Sequence, residues 1–301
     1  MIHITVIANP FAGAARGRLS GAQAVALLTK RGFQVELCLT KGVGHASSLA
    51  AEVAATAGDQ GMVVVVGGDG TIHEVAQVLA GTSCPLGVLP SGSGNDFAVG
   101  IGCPTVQAGL DAITDGREQE IDVCALDGRP FVNSMGLLAS GAISGTASGF
   151  WRWLGSGRYV VASLLTILTY RGQDVDWVIS GSSLDVSQER LSGEFLLAEF
   201  CNGPLTGGGF RLGDNVDLAD GLLDLCLVRP IGLVAGLGIL PGAAAGRMIE
   251  HPAFSRFKSR RVGFKTEKPV PYHLDGEPGI LEAGSHRVEV LEKKLKVMVP
   301  A

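Results

Sequence analysis

Residues 62–71 read MVVVVGGDGT, an apolar run that ends in two glycines, an aspartate, a third glycine and a hydroxyl. A short, continuous apolar run predicts a strand that is buried on both faces of a sheet. Glycine has no side chain, so a loop rich in glycine lets its backbone approach another group closely. The stretch therefore predicts a buried strand that opens into a bare loop with a carboxylate in its middle.

The same strand-then-helix pattern repeats along the first part of the chain. Short apolar runs predict strands at 2–8, 33–40, 62–66 and 86–90, and helical periodicity predicts helices at 18–31, 45–57 and 71–80. Strands that alternate with helices form a parallel sheet covered by helices on both faces. Ligands of such sheets bind in the loops at the carboxyl ends of the strands.

The second part of the chain has a different pattern. Strand candidates crowd together at 174–180, 193–202, 221–228, 260–266, 272–277 and 286–292, with one helix candidate at 158–171. Several alternate apolar and polar residues, which is typical of half-buried antiparallel strands. We therefore predict an α/β N-terminal domain with a mostly parallel sheet, residues 1–125 with a tail of about 290–301. A mainly antiparallel, sandwich-like β domain would cover residues 126–289.

Composition limits the classes of function. The 301 residues are 46% hydrophobic and 18% charged, with a net charge of −5, which argues against a nucleic-acid partner held by bulk charge. Six cysteines without a CxxC pair favour buried thiols in a reducing cytoplasm, with disulfides or a zinc site as the alternatives. The uncharged stretch 230–246 is short and contains Pro241, so it favours a packed helix over a membrane span.

Every predicted strand of the first domain ends in a loop suited to chemistry. The loops are NPFAG (9–13), TKGVGHA (40–46), GGDGT (67–71) and PSGSGND (90–96). Bare N–H groups and a helix dipole favour an anion such as a phosphate at these positions. The spacing of a P-loop and that of the GxGxxG dinucleotide fingerprint are both absent. The loops therefore predict a phosphate site of another kind.

In combination, these motifs resemble the diacylglycerol kinase catalytic-domain family of lipid kinases. That family includes bacterial diacylglycerol kinases and sphingosine kinases and is more distantly related to NAD kinases. The resemblance covers nearly the whole chain and rests on an ordered set: NPFAG, GGDGTIHEV (67–75), LPSGSGNDFA (89–98), FVNSMGL (131–137), DLADGLLDL (217–225) and YHLDGEP (272–278).

The resemblance implies where ATP and Mg²⁺ bind. The implied nucleotide contacts are Asn9, Thr40, Gly67, Gly68, Asp69, Gly70, Thr71, Ser93, Gly94 and Asn95. Asp69 and Asp96 would belong to the magnesium network, with Asp122 as a third and weaker candidate. Simpler interpretations stay open at this point. Asp69 and Asp96 would be helix caps, with Asp69 on a helix that begins at Thr71, and Asp122 would be a solvent-facing acid.

Two late acidic motifs have implied roles in the same way. Glu277 would be the general base, opposite Asp69 and Asp96, with the active site in an interdomain cleft. A β-turn is the alternative, because Asp-Gly pairs are common in hairpins. Asp217, Asp220 and the carbonyl of Leu222 would hold a structural magnesium ion, with a polar turn as the alternative. Some members of the family lack this site.

The resulting hypothesis is an ATP- and Mg²⁺-dependent kinase that phosphorylates the hydroxyl of diacylglycerol or a similar lipid. The product would be phosphatidic acid or an analogue. The alternatives are a soluble-substrate kinase of the NAD kinase type and a non-catalytic nucleotide-binding regulator. We expect a cytoplasmic protein, bound reversibly to the inner face of the membrane, and leave a homodimer open. The basic, aromatic stretch 253–265 and the aromatic stretch 150–161 are candidates for the lipid entrance, with a solvated strand and a core helix as the alternatives.

Overall fold

The structure is a computed structural model that describes residues 3–10, 19–149, 161–163, 165–166, 169–180, 188–213 and 215–301. The chain divides into two compact units. The first consists of Met1–Val123 with Glu292–Ala301, and the second of Cys124–Leu291. Two strands, β5 (Arg117–Leu126) and β17 (Gly284–Val299), carry residues of both units.

The first unit is an α/β structure, as predicted. Its other elements are β1 (His3–Ala8), α1 (Gly21–Lys30), β2 (Gln34–Leu39), α2 (His45–Ala57), a 3-10 helix (Gly58–Gln60), β3 (Gly61–Gly67), α3 (Asp69–Leu79), β4 (Leu86–Pro90), α4 (Asp96–Gly100) and α5 (Val106–Asp115). The strands pair in the order β17-β4-β3-β1-β2, and these pairs are parallel.

Burial explains why this sheet forms where the apolar runs lie. Every residue of β3 is buried, because its sheet neighbours β1 and β4 leave only faces that helices cover. Leu28 of α1 and Leu110 of α5 pack into the same core as Val64 of β3. Helix α1 begins at a capping box in which Ser20 and Gln23 exchange hydrogen bonds, which satisfies N–H groups that a helix start leaves open.

The second unit is a β sandwich. Its elements are β6 (Arg129–Phe131), β7 (Ser134–Leu138), α6 (Ala139–Gly149), β8 (Gln173–Ser180), β9 (Gln188–Leu191), β10 (Glu194–Phe195), β11 (Leu197–Cys201), β12 (Leu223–Val228), α7 (Leu233–Ala244), β13 (Phe254–Ser259), β14 (Arg261–Thr266), β15 (Val270–Leu274) and β16 (Glu277–Leu281). One antiparallel sheet has the order β13-β12-β11-β7-β15-β16. The other contains β10-β8-β14-β17, also antiparallel.

Aromatic side chains from both sheets fill the core of this unit. Trp177 of β8 is buried, and its ring centroid lies 6.2 Å from that of Phe200 on the opposite sheet. Phe195 and Phe264 lie 5.8 and 5.4 Å from the same tryptophan ring. Rings that large bury much apolar area, so the predicted alternation of inward and outward residues has a clear energetic basis.

The structure changes three details of the sequence prediction. The strand predicted at 272–277 is interrupted, because Asp275 and Gly276 form the turn between β15 and β16. The strand predicted at 193–202 divides at residue 196 into β10 and β11. The helix predicted at 158–171 is helical at the described positions 161–163, 165, 166 and 169, and its other positions fall partly outside the described residues.

The uncharged stretch 230–246 forms the helix α7 but is not fully packed. Its first turns expose Leu233, Val234 and Leu237. In the described part of the chain, no helix combines the length and the apolar character that crossing a bilayer requires. All six cysteines are free thiols, and five of them are buried, as the favoured interpretation predicted; Cys38 is partly exposed.

Candidate functional site

The loops of the first unit leave the sheet at one edge. Ala8 of β1 is level with Leu39 of β2 and with Val66 of β3, and Gly67 is level with Pro90 of β4. Because these strands are parallel and in register, their carboxyl ends lie side by side, as the sequence predicts. Residues 11–13 of the first loop fall outside the described residues.

The loops after β3 and β4 pack backbone against backbone. A Cβ atom on Gly68 would lie 2.9 Å from the Cα atom of Gly92, a separation that packed carbon atoms do not tolerate. The N–H group of Ser91 donates a hydrogen bond of 2.8 Å to the carbonyl of Gly67. The glycines are therefore needed for contact between the two loops, in addition to any contact with a ligand.

The carboxylate of Asp69 joins these two loops. One oxygen accepts a hydrogen bond of 2.8 Å from the N–H group of Asn95, and the other accepts one of 3.2 Å from that of Phe97. Asp69 is itself the first residue of α3. The simpler interpretation of a helix cap is therefore right about the chemistry and wrong about the helix, because Asp69 bonds to the start of α4.

Asn95 fixes the shape of the fourth loop from within. Its backbone is left-handed, with φ 62° and ψ 32°, a conformation that asparagine adopts more readily than most residues. Its side-chain oxygen accepts a hydrogen bond of 2.8 Å from the N–H group of Gly92. Ser93 and Gly94, which lie between them, are half-buried. The predicted nucleotide contacts of this loop thus belong to one closed turn.

The second loop is tied to α3 by a residue that the sequence analysis missed. The Glu74 carboxylate accepts a hydrogen bond of 3.1 Å from the N–H group of Ala46, at the start of α2. The Glu74 carbonyl accepts the hydroxyl of Ser47 at 2.8 Å. Thr40 is buried, with its N–H group bonded to Ala8, and Asn9 is half-buried. The glutamate of the GGDGTIHEV stretch was the available signal.

The other predicted site residues of the first unit lie in different environments. Asp96 is buried at the start of α4, while Gly70 and Thr71 lie in the first turn of α3. Asp122 is fully buried and forms an ion pair with Lys294 of β17. Its interpretation as a solvent-facing acid is therefore wrong. The structure also gives Asp122 a different cation from the magnesium that the resemblance implies.

Glu277 of the second unit is exposed at the first position of β16. The two residues before it, Asp275 and Gly276, have φ values of 48° and 90° and connect paired residues Leu274 and Glu277. This is a two-residue hairpin of the primed type, so the β-turn interpretation of the motif is confirmed. The turn presents the Glu277 carboxylate at its end, a position compatible with a role as base.

In the acidic motif DLADGLLDL (217–225), two carboxylates are already paired with a lysine. The ammonium group of Lys258 lies 3.2 Å from Asp220, 3.1 Å from Asp224 and 3.3 Å from the carbonyl of Asn215. Burial lowers the pKa of Lys258, but the hydrogen bonds to Asp224 and Asp220 outweigh burial and raise it. Strand pairing sets this contact, because Asp224 of β12 is directly opposite Lys258 of β13.

The residues predicted to hold a structural magnesium ion make local bonds instead. Asp217 accepts the N–H group of Ala219, and Asp220 accepts that of Leu222, both at 2.9 Å. In the described part of the chain, no group of three or more His, Cys, Asp or Glu residues is arranged to hold a metal. Lys258 thus supplies a positive charge beside Asp220, and the structural magnesium site at Asp217, Asp220 and Leu222 stays a prediction.

The basic, aromatic stretch 253–265 is largely engaged within its own unit. Arg256 donates to the carbonyls of Leu212 and Ile249, and Arg261 pairs with Glu289 at 3.0 Å. Phe264 is buried in the sandwich core. Phe264 is therefore a core residue, and the prediction that this stretch flanks a lipid entrance does not extend to its side chain. The other candidate stretch, 150–161, lies outside the described residues except for its last position.

Fold and loops together define a class of protein. One unit is an α/β structure with paired glycine loops at the carboxyl edge of its sheet, a position typical of nucleotide phosphate sites. The other is a β sandwich that presents a carboxylate on a tight turn. Phosphoryl transfer depends on groups that position phosphate and neutralise its charge, so backbone N–H groups and carboxylates of this kind favour a phosphate-transferring enzyme.

Comparison with known proteins gives the family. A model described as "Diacylglycerol kinase catalytic domain" matches residues 3–126, and one described as "YegS C-terminal NAD kinase beta sandwich-like domain" matches residues 139–299. A diacylglycerol kinase of Mycobacterium tuberculosis is 30% identical over 266 residues, with 86% of this chain and 84% of that protein covered. The chain belongs to the diacylglycerol kinase catalytic-domain family of lipid kinases.

Another relative and two solved structures are also similar to this chain. A probable YegS-like lipid kinase of Pseudomonas aeruginosa is 30% identical over 289 residues, which cover 92% of this chain and 89% of that one. A solved structure of a diacylglycerol kinase from Bacillus anthracis has a TM-score of 0.73 at 21% identity and covers 99% and 96% of the two chains. An NAD kinase from Archaeoglobus fulgidus in complex with ATP has a TM-score of 0.51 at 13% identity, covering 98% and 93%. These two structures show a shared fold.

Replacing Lys258 tests whether it serves as the built-in cation. Lys258→Met leaves Asp224 buried without this partner, so we expect a loss of about 1–2 kcal/mol in the free energy of unfolding, reduced by the partial exposure of Lys258. Millimolar MgCl₂ should raise the melting temperature of the variant but leave that of the wild type unchanged. Lys265→Met, on the exposed side of β14, is the matched control. A magnesium-dependent rise in the wild type would contradict this account.

Proposed function

We propose that this protein is an ATP- and Mg²⁺-dependent kinase that transfers the γ-phosphate to the hydroxyl of diacylglycerol or a similar lipid. The product would be phosphatidic acid or an analogue. The observation that carries the proposal is the pair of glycine loops that Asp69 holds together at the carboxyl edge of the sheet. Membership of a lipid kinase family supports the choice of a lipid acceptor.

The nucleotide would bind at the paired loops. The start of α3 lies at these loops, and a helix start favours an anion through its dipole and through N–H groups that lack intrahelical partners. The bare Gly67 and Gly68 let this loop pack tightly against Thr71 and Gly92, and phosphate oxygens would approach the backbone that this packing holds in place. Asn9 and Thr40 directly follow neighbouring strands, Asn95 directly precedes α4, and all three would add polar contacts to the nucleotide.

Asp69 and Asp96 would hold Mg²⁺ beside these loops. Both are carboxylates, the ligand type that magnesium prefers, and both lie at the starts of helices that border the loops. When bound, the ion would neutralise charge on the transferred phosphate. We leave Asp122 out of this set because Lys294 pairs with it.

Glu277 would take the proton of the attacking lipid hydroxyl. A carboxylate can act as a general base if it lies within hydrogen-bond reach of that hydroxyl. Glu277 is exposed, and its neighbours Asp275 and Gly276 are held by several hydrogen bonds, so its backbone position is fixed while its side chain stays accessible. The same chemistry does not require the acceptor to be diacylglycerol itself.

The acceptor would reach the protein from a membrane surface, and helix α7 is the element best suited to contact it. Leu233, Val234 and Leu237 are 48%, 86% and 39% exposed, an unusual amount of apolar surface for one short helix. The helix has no charged residue, and the exposed Arg229 and Arg247 flank it on either side. Apolar side chains between basic residues match the interface of an anionic bilayer.

Replacing Glu277 tests the proposed chemistry. We expect Glu277→Gln to lower phosphate transfer to lipid by about 10²–10⁴-fold, the usual contribution of a general base, while nucleotide binding persists. The assay would follow γ-radiolabelled ATP into a chloroform-extractable fraction of mixed lipids, with NAD⁺ as a parallel soluble acceptor. Glu282→Gln, another exposed acid a few residues further along, is the matched control.

The possible results of this assay separate the alternatives. Label that appears in NAD⁺ and not in lipid would replace a lipid kinase with a soluble-substrate kinase. Nucleotide binding without transfer to either acceptor would indicate a regulator. Near-normal lipid phosphorylation by Glu277→Gln would remove the assignment of this residue as base while leaving the lipid kinase in place.

A single charge on α7 tests the proposed membrane contact. Val234→Asp places a carboxylate on the most exposed apolar position of the helix, where insertion into a bilayer becomes unfavourable. We expect at least a tenfold loss of binding to phosphatidylserine-containing vesicles in a flotation assay. Val43→Asp makes the same change at a fully exposed position of the first unit and should bind normally. Unchanged binding by Val234→Asp would exclude α7 as the contact surface.

A further inference from the structure

The turn next to Glu277 is held by hydrogen bonds from outside its hairpin as well as by the pairing of β15 with β16. The carboxylate of Asp275 is buried and accepts hydrogen bonds from three consecutive backbone N–H groups. These belong to Val132, Asn133 and Ser134, at 3.0, 2.8 and 2.9 Å. Asp275 thus fixes the first residue of the turn to the start of β7.

The second residue of the turn, Gly276, is held on both sides of its backbone. Its carbonyl accepts a hydrogen bond of 2.6 Å from the hydroxyl of Ser144, on α6. Its N–H group donates to Nδ1 of His273 at 3.3 Å. In a neutral imidazole, a nitrogen that accepts a hydrogen bond leaves the ring proton on the other nitrogen. His273 therefore carries its proton on Nε2.

This Nε2 atom leads into a buried polar network. It lies 3.1 Å from the hydroxyl of Ser140, and that hydroxyl donates to Glu199 at 2.5 Å. The hydroxyl of Thr206 donates to the other oxygen of Glu199 at 2.7 Å. The bonds therefore run in one direction, from the Gly276 N–H group through His273 and Ser140 to the Glu199 carboxylate.

Glu199 ends this network as a charged group. Its side chain is completely buried, at the centre of β11. Burial by itself raises the pKa of the Glu199 carboxyl. His273, Ser140 and Thr206 outweigh burial and lower the pKa below its usual value. A buried carboxylate is costly unless hydrogen bonds satisfy it, so each donor in the network is needed.

The position of Gly136 shows how closely the network is enclosed. Gly136 of β7 is paired with Glu199 on one side and with His273 on the other. A Cβ atom at this position would overlap the polar atoms of Ser140, Glu199 and His273. Position 136 of β7 therefore has to lack a side chain so that Ser140, Glu199 and His273 can contact each other.

We propose that His273, supported by Ser140 and Glu199, is a positioning residue for Glu277. It holds the Gly276 N–H group, and the buried carboxylate fixes the orientation of its ring. Ser144 holds the carbonyl of the same glycine from the opposite side. Together they keep the backbone next to Glu277 in one position, so that the carboxylate is already oriented when the lipid hydroxyl arrives. This inference rests on the proposed role of Glu277.

Two conservative variants of His273 distinguish the roles of its two ring nitrogens. In His273→Asn, the side-chain oxygen takes the place of Nδ1 and can still accept the Gly276 N–H group. In His273→Gln, the amide takes the place of Nε2 and can only reach towards Ser140. We expect kcat for lipid phosphorylation to fall at least tenfold in His273→Gln and clearly less in His273→Asn. The KM for ATP should stay unchanged in both variants, because the proposed nucleotide site belongs to the other unit.

Ser144→Ala provides a second route if a His273 variant fails to fold. It frees the Gly276 carbonyl without entering the buried network, and we expect a several-fold loss of kcat with an unchanged KM for ATP. Thr146→Ala, at an exposed position of the same helix, should behave like the wild type.

The outcomes distinguish this inference from the proposed function. Wild-type kcat in both His273→Gln and Ser144→Ala, with Glu277→Gln inactive, would overturn the positioning role alone. Equal losses in His273→Asn and His273→Gln would overturn the assignment to Nδ1. An active Glu277→Gln would refute the base and with it this role. A loss in His273→Gln that His273→Asn restores, at equal thermal stability, would support the inference.

Discussion

The contact on which the first unit depends is the carboxylate of Asp69 against the N–H groups of Asn95 and Phe97. It joins two loops whose glycines, Gly68 and Gly92, already touch through their backbones. Each loop follows a different strand, and the bonds of Asp69 add to the hydrogen bond from Ser91 to Gly67 in holding the two loops together. The phosphate site that we propose is therefore formed by two loops, and the residue that joins them is one for which the family resemblance implies a role in the magnesium network.

In the second unit, too, a carboxylate holds a loop in place through backbone N–H groups. Its turn places Glu277 at the surface, and the carboxylate of Asp275 accepts three backbone N–H groups to hold that turn. Beneath it, Glu199 ends a chain of hydrogen bonds that begins at Gly276. In both units an acid that bonds to backbone N–H groups fixes a loop, and in the second unit the neighbouring Glu277 stays exposed.

The parts of the fold that the sequence predicted are those set by local pattern. Strand β3 and the loop after it follow from an apolar run that ends in glycines, and β4 matches its predicted bounds. The contacts that were missed join residues far apart in the chain. The sequence around Asp224 does not indicate that Lys258 lies opposite it. The sequence around Glu199 does not indicate that His273 lies beside it. Such contacts depend on strand order, which local pattern does not give.

The most direct test of the central claim is the affinity for ATP of Asp69→Asn, measured by calorimetry with EDTA present. Removing divalent ions separates the role of Asp69 in joining the loops from any role in binding magnesium. We predict at least a tenfold weaker affinity, about 1.4 kcal/mol, because an amide cannot accept both N–H groups. Asp59→Asn, in the 3-10 helix, is the control. Equal affinity of Asp69→Asn and the wild type would contradict the account.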